Sequence, residues 1–97
     1  ASCGIFDWAA LTQPLVVRTR RAGDKFQPVG FHGTKKLKDF FIDEKIPREE
    51  RDYLPIIFDR HHMIWVGGYR QSEIGKVTMK TEKFLHIKIV KLQQKNN

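Results

Sequence analysis

The side chains in this sequence that could transfer protons, attack a substrate or hold a metal are four histidines, one cysteine and a run of acids. Their spacing favours none of these chemistries. His32, His61, His62 and His86 show no paired or helical zinc-ligand spacing, and Cys3 has no second cysteine to extend a ligand set. No metal site is expected. Catalysis would need Cys3 with a histidine, or a carboxylate pair drawn from Asp39, Asp43 and Glu44. Acids interleaved with lysines on a helix are usually a solvated face, and no base and nucleophile are singled out. No catalytic residue is therefore assigned. Gly30 and Gly33 superficially suggest a nucleotide-binding loop, but their separation is too short and no Gly-Lys-Ser/Thr follows. No cofactor is expected on this chain.

The stronger chemistry is anion binding. Of 97 residues, 18 are Lys or Arg and 11 are Asp or Glu, giving a pI near 9.8. Arg18, Arg20, Arg21, Lys25, Lys35, Lys36 and Lys38 crowd into residues 15–38, where Asp24 is the lone acid, and a second basic block follows the acidic segment from Asp39 to Asp52. Clustered bases at this pI are the electrostatic footprint of nucleic-acid binding, though a basic surface can also serve solubility alone. Thr34 reads as a helix cap, with Lys35, Lys36 and Lys38 forming a collar around the helix N-terminus that could grip a phosphate. The competing reading is a solvated first turn whose lysine stems cover the edge of the core. Arg18, Arg20 and Arg21 could reach phosphates or stack on bases, or could pair with acids such as Asp24 and Asp52. Arg48, Arg51 and Arg70 are secondary candidates. Trp8, Phe26 and Trp65 suit a core better than base stacking, whereas Tyr69, after two glycines and beside Arg70, is the exception.

The elements that must position these groups are mostly strands. Pro14 to Arg20 alternates with a period of two, which predicts a strand with Leu15, Val17 and Thr19 on one side and Val16, Arg18 and Arg20 on a wetter one. Leu37, Phe40 and Phe41 share one helical face, and Pro47 should stop that helix near Ile46 and open a short turn through Arg48, Glu49 and Glu50. Leu54 to Asp59 and Met63 to Val66 read as a hairpin with His61 and His62 near its tip, ended by Gly67 and Gly68. Phe84 to Val90 predicts a last strand with Leu85, Ile87 and Ile89 inward, and Gln93 to Asn97 a frayed tail. The expectation is an α+β fold, a strand-rich single domain over residues 1–92 with one main helix. No apolar run approaches the roughly 20 residues of a membrane span and no signal peptide is visible, so a cytoplasmic protein is expected.

Taken in order, these residues resemble the C-terminal domain of the tRNA(Ile)-lysidine synthetase family. The resemblance rests on Pro14 to Arg20, Gly23 to Pro28, Gly33 to Arg51 with its Lys35, Lys36, Leu37, Lys38, Asp39, Phe40, Phe41, Ile42 core, then Leu54, Pro55 and Trp65 to Arg70. It covers 14–90 and weakens after Arg70, where 71–75 departs from the charged run the family pattern leads one to expect. It implies a β-rich layered fold shared with a phenylalanyl-tRNA synthetase subunit. It also implies a parent enzyme that uses ATP, with magnesium, to join lysine to the wobble cytidine of tRNA(Ile). That chemistry would belong to a separate N-terminal ATP-pyrophosphatase domain, whose Ser-Gly-Gly loop is not in this sequence. The implied role of this chain is to grip tRNA near the acceptor stem, through Arg18, Arg20, Arg21, Lys25, Lys35, Lys36 and Lys38, with Arg48, Arg51 and Arg70 in support. The rival role is a structural domain that docks on the catalytic half or forms a homodimer, motivated by the acidic-basic segment Asp39 to Asp52.

Overall fold

The computed structural model describes residues 2–92, so the tail expected at 93–97 lies outside the described residues. In chain order the elements are Ser2–Asp7 (β1), a 3-10 turn at Trp8–Ala10, Val16–Arg18 (β2), Lys25–Phe26 (β3), Lys35–Lys36 (β4), Leu37–Asp43 (α1), Arg48–Arg51 (α2), Ile56–Phe58 (β5), Met63–Val66 (β6), Arg70–Gln71 (β7) and Phe84–Ile89 (β8). The expected hairpin forms the centre of an antiparallel sheet ordered β2-β5-β6-β7. Its two central strands are apolar on both faces because both faces are covered. On one side Ile56, Met63 and Val66 meet Phe26, Leu37, Phe40, Phe41 and Ile46 from the helical segment and β3. On the other, Ile57, Ile64 and Trp65 meet Phe6 and the half-buried Leu85, Ile87 and Ile89 of a two-stranded ribbon, β1 against β8. The result is the α+β, strand-rich layered architecture the sequence predicts.

Gly67 lets the ribbon approach this sheet. A Cβ there would lie 2.5 Å from the Pro55 carbonyl oxygen and 2.6 Å from Ile89 Cδ1, so no side chain fits without moving backbone. β8 keeps the predicted alternation, with His86 and Lys88 exposed. Its partner β1 was not anticipated: Phe6, fully buried and edge-on to Trp65 at 5.8 Å, anchors it.

Helix α1 buries the predicted stripe of Leu37, Phe40 and Phe41. It ends earlier than Pro47 alone would require. Lys45 adopts a left-handed backbone (φ 54°), and the Ile46 N–H donates to the Phe41 carbonyl at 3.0 Å. This is a Schellman-type stop in which the apolar residue after the turn, Ile46, folds back onto the helix and is buried. Its start also differs from expectation. Thr34 does not cap the helix: Lys36 holds the cap position with no side-chain cap bond, and the Leu37 N–H donates to the Asp24 carbonyl at 2.9 Å. Lys35 and Lys36 are strand residues, paired with Phe26 and Lys25, because that ladder satisfies backbone groups a longer helix would have left open.

β2 corrects a second expectation. Val17 is 63% exposed, whereas the side chains of Arg18 and Arg20 keep only 23% and 35% of theirs. From Val17 onward the arginine face is the drier one, while Leu15 packs against the core on the expected side and Val16 is exposed. Arg18 lies over the Phe58 ring at 4.1 Å and Arg20 over Phe41 at 5.5 Å, so flat guanidinium groups and their stems do the covering that an apolar residue would do elsewhere.

The hairpin tip depends on a buried carboxylate. Asp59 is 4% exposed and accepts the backbone N–H groups of Thr12, His61 and His62 at 3.0, 2.9 and 2.7 Å. Burial pushes its pKa up, but these donors together outweigh burial and hold it below the ordinary value. Asp59→Ala should therefore destabilise the protein by about 2 kcal/mol, because it removes the one acceptor shared by three part-buried backbone N–H groups. Chemical denaturation checks this, with a loss under about 1 kcal/mol meaning that the turn reorganises at little cost.

Candidate nucleic-acid interface

The basic residues singled out in the sequence divide by what holds them. Arg18 is committed to Asp24, donating from Nη1 and Nη2 to its two carboxylate oxygens at 3.0 and 2.9 Å. Arg20 Nε donates to Asp52 at 2.8 Å, and Lys35 pairs with Asp43. Arg51 Nε donates to the Ile46 carbonyl at 2.8 Å, bracing the helix stop. Arg70 reaches Glu44 at 3.6 Å and the Val29 carbonyl at 3.2 Å. Arg21, Lys25, Lys36, Lys38 and Arg48 are exposed and have no ion pair among the described residues.

The structure gathers the unpaired group. Arg21, Lys25, Lys36 and Lys38 line one open groove of about 620 Å³, with Arg20, Asp24 and Asp52 also in its walls. Arg48 is not among its lining residues. Each element contributes for a local reason. Asp24 accepts the Arg21 N–H at 2.7 Å, which closes the turn around Gly23 (φ 86°), a conformation that favours glycine. β3 leaves that turn with Lys25, β4 brings Lys36 directly opposite it, and α1 begins immediately and adds Lys38 from its first turn. Lys25 and Lys36 are a directly opposed like-charge pair, which costs a sheet stability unless something anionic lies over it. The acids in the walls do not relieve it, since Asp24 is taken by Arg18 and Asp52 by Arg20.

Asp24 also sets a pH dependence. Arg18's hydrogen bonds lower its carboxyl, burial opposes them, and the Arg21 N–H and nearby positive charge lower it further. A lowered folded-state pKa means that the unfolded chain binds the proton first as pH falls. The pair's stabilisation is thus complete above the ordinary carboxylate range and is lost as pH falls through Asp24's lower folded value. Asp59 contributes in the same direction. The melting temperature should fall between about pH 5 and pH 2. Asp24→Asn should fall less steeply there, and an identical slope would remove Asp24 from the explanation.

Among the described residues no three His, Cys, Asp or Glu side chains converge as a metal-binding group, and no helix is long and apolar enough to cross a membrane. The segment Gly30 to Gly33 leads into β4, not into a helix N-terminus. Trp65 and Phe26 are buried, Trp8 is half-buried, and Tyr69 is exposed with its hydroxyl 3.3 Å from Glu50, as the sequence suggests. Sequence reasoning missed the facing of Lys25 with Lys36, which depends on a ladder of two residues per strand.

The family model described as the TilS substrate C-terminal domain matches residues 15–88. The chain belongs to that family. A relative named tRNA(Ile)-lysidine synthase, from Caldanaerobacter subterraneus subsp. tengcongensis, is 52% identical over 86 residues, which are 89% of this chain and 18% of the relative. The TilS C-terminal-type sequence thus spans about a fifth of the length of such relatives. A crystal structure of a TilS C-terminal domain is similar with a TM-score of 0.75 and 40% identity, over 87% of this chain and 65% of that one. An N-terminal fragment of the phenylalanyl-tRNA synthetase β-subunit from Pyrococcus horikoshii shares the fold, with a TM-score of 0.70 and 21% identity over 88% of this chain and 27% of that one. The family and the fold relationship expected from the sequence are both borne out.

Proposed function

We propose that this chain is a tRNA-binding module that takes no part in bond making, and that it holds tRNA(Ile) near the acceptor stem for a tRNA(Ile)-lysidine synthase. In this reading the rest of the polypeptide, in the cytoplasm, uses ATP and magnesium to ligate lysine to the wobble cytidine. The observation that carries the proposal is the in-register opposition of Lys25 and Lys36, joined by Arg21 and Lys38 in one groove without acid partners of their own. Such a groove suits the phosphate backbone of an A-form stem, whose narrow major groove keeps base edges out of reach. The primary contacts are accordingly Arg21, Lys25, Lys36 and Lys38. Arg18, Arg20, Lys35, Arg51 and Arg70 act mainly by holding the scaffold, and exposed Arg48 stands apart. A basic module tethered to a catalytic domain raises the local concentration of its substrate there, so modest affinity suffices. Titration of an acceptor-stem minihelix at two salt concentrations tests it. Binding should weaken steeply with salt, and absent or salt-independent binding would count against the proposal.

A second reading has one specific observation in its favour. β2 is an edge strand with exposed Val16 and Val17, an edge that another part of the polypeptide or a second copy could extend. Sedimentation of the chain against its Val17→Lys variant separates these cases, since self-association through this edge should be lost in the variant.

A further inference from the structure

A second groove, of about 510 Å³, opens on the other side of the turn that bounds the first. Gly23, Asp24 and Lys25 line both, so the turn is a wall common to the two. Their linings differ. The first is dominated by cationic side chains, whereas the second is lined by Gln27, Thr34, His61 and His62, with the core residues Phe26 and Met63 and the Arg18-covered Phe58 behind them.

The histidines are displayed in an unusual way. Their backbone amides are tied to the buried Asp59, which fixes the turn, while their rings stand at its tip 6.1 Å apart and 76° from coplanar. Among the described residues neither imidazole makes a hydrogen bond, and His62 Nδ1 lies 3.8 Å from Asp59 Oδ1. The turn tied to Asp59 thus presents two exposed polar rings that make no hydrogen bond among the described residues. We propose that the second groove receives one unpaired nucleoside of the bound RNA, an inference that rests on the RNA-binding reading above. A nucleobase has flat faces and a polar edge, which suit exposed imidazole rings that a base can stack on and the hydrogen-bonding groups of Gln27 and Thr34 beside them. The volume lies in the range of small-ligand sites. Lys25, on the shared rim, joins the phosphate path to this pocket. Only an unpaired nucleotide can enter, because bases within a stem remain stacked.

The test compares two RNAs, a blunt stem and the same stem with a short single-stranded extension, titrated against the 97-residue chain and two variants. The extension should tighten binding by about tenfold, in keeping with one base held on a stacking or hydrogen-bonding surface. In His61→Ala/His62→Ala that gain should vanish while the blunt stem binds as before. The melting temperature should stay close to the parent, since both rings are exposed and the amides to Asp59 remain. Lys36→Gln/Lys38→Gln should weaken both RNAs equally. If the extension gives no gain, or the histidine variant keeps it, the nucleoside pocket is overturned even though the basic groove stands. A groove occupied by another part of the polypeptide would give that first outcome. If the lysine variant binds both RNAs unchanged, the underlying RNA reading fails instead.

Discussion

Phe41→Ala is expected to cost about 3–5 kcal/mol of stability, the largest loss foreseen for any single side chain in this fold. Phe41 is fully buried and sits where several layers meet. It packs with Phe40 in α1, its carbonyl receives the Ile46 N–H that ends the helix, and its ring carries the guanidinium groups of Arg20 and Arg51 at 5.5 and 6.0 Å. Truncation leaves a cavity and also strips two half-buried arginines of the surface they lie on. For a chain of this size total stability is about 5–15 kcal/mol, so a loss of this order is a large fraction of it. Thermal denaturation should show a drop of well over about 10 °C. A drop of only a few degrees would mean that the arginines and β2 close over the gap. RNA affinity should change only through the unfolded fraction, and measuring it well below the transition separates the effects.

The opposite pattern is expected when Arg21, Lys25, Lys36 and Lys38 are all changed to glutamine. These side chains are exposed, and Lys25 and Lys36 oppose each other across the β3-β4 ladder, so their removal should leave stability unchanged or raise it by a few tenths of a kcal/mol. RNA binding should suffer greatly. If each cation neutralises one phosphate, the slope of log affinity against log salt should become shallower by about 3 units. Little preference between stem sequences should be gained or lost, because phosphate contacts position an RNA without reading it. Adding Lys35→Gln should contribute little to the slope and reduce stability, since Lys35 is held by Asp43. An unchanged slope in the quadruple variant would relocate the interface. A steep loss of stability would make the groove a structural feature.

This contrast shows where sequence was sufficient. The stripe Leu37, Phe40, Phe41, the β5-β6 hairpin and the alternation of β8 are local patterns, and local periodicity reports them directly. β1 was invisible because SCGIFD carries little alternation and its pairing partner lies at the far end of the chain, Ser2 opposite Ile89. The two-residue strands β3 and β4 are too short to show any period, so Lys35 and Lys36 were assigned to a helix start. Their placement changes the chemistry from a collar around a helix end to a face of a ladder. The facing of β2 was inverted for a different reason: a polar-apolar alphabet treats arginine as wet, while Arg18 here stacks on Phe58 and spends its donors on Asp24. Pairing with Asp24 and Asp52 was legible as an alternative, but choosing it required the long-range contact from Arg20 to Asp52 that only the fold supplies.

The central claim, that the Arg21, Lys25, Lys36 and Lys38 groove takes the acceptor region of tRNA(Ile), is tested most directly by hydroxyl-radical footprinting of intact tRNA(Ile) with this chain and its quadruple glutamine variant. Protection of the sugar-phosphate backbone along the acceptor stem, abolished in the variant, is the expected result. Protection centred on the anticodon, or acceptor-stem protection that survives in the variant, would contradict it.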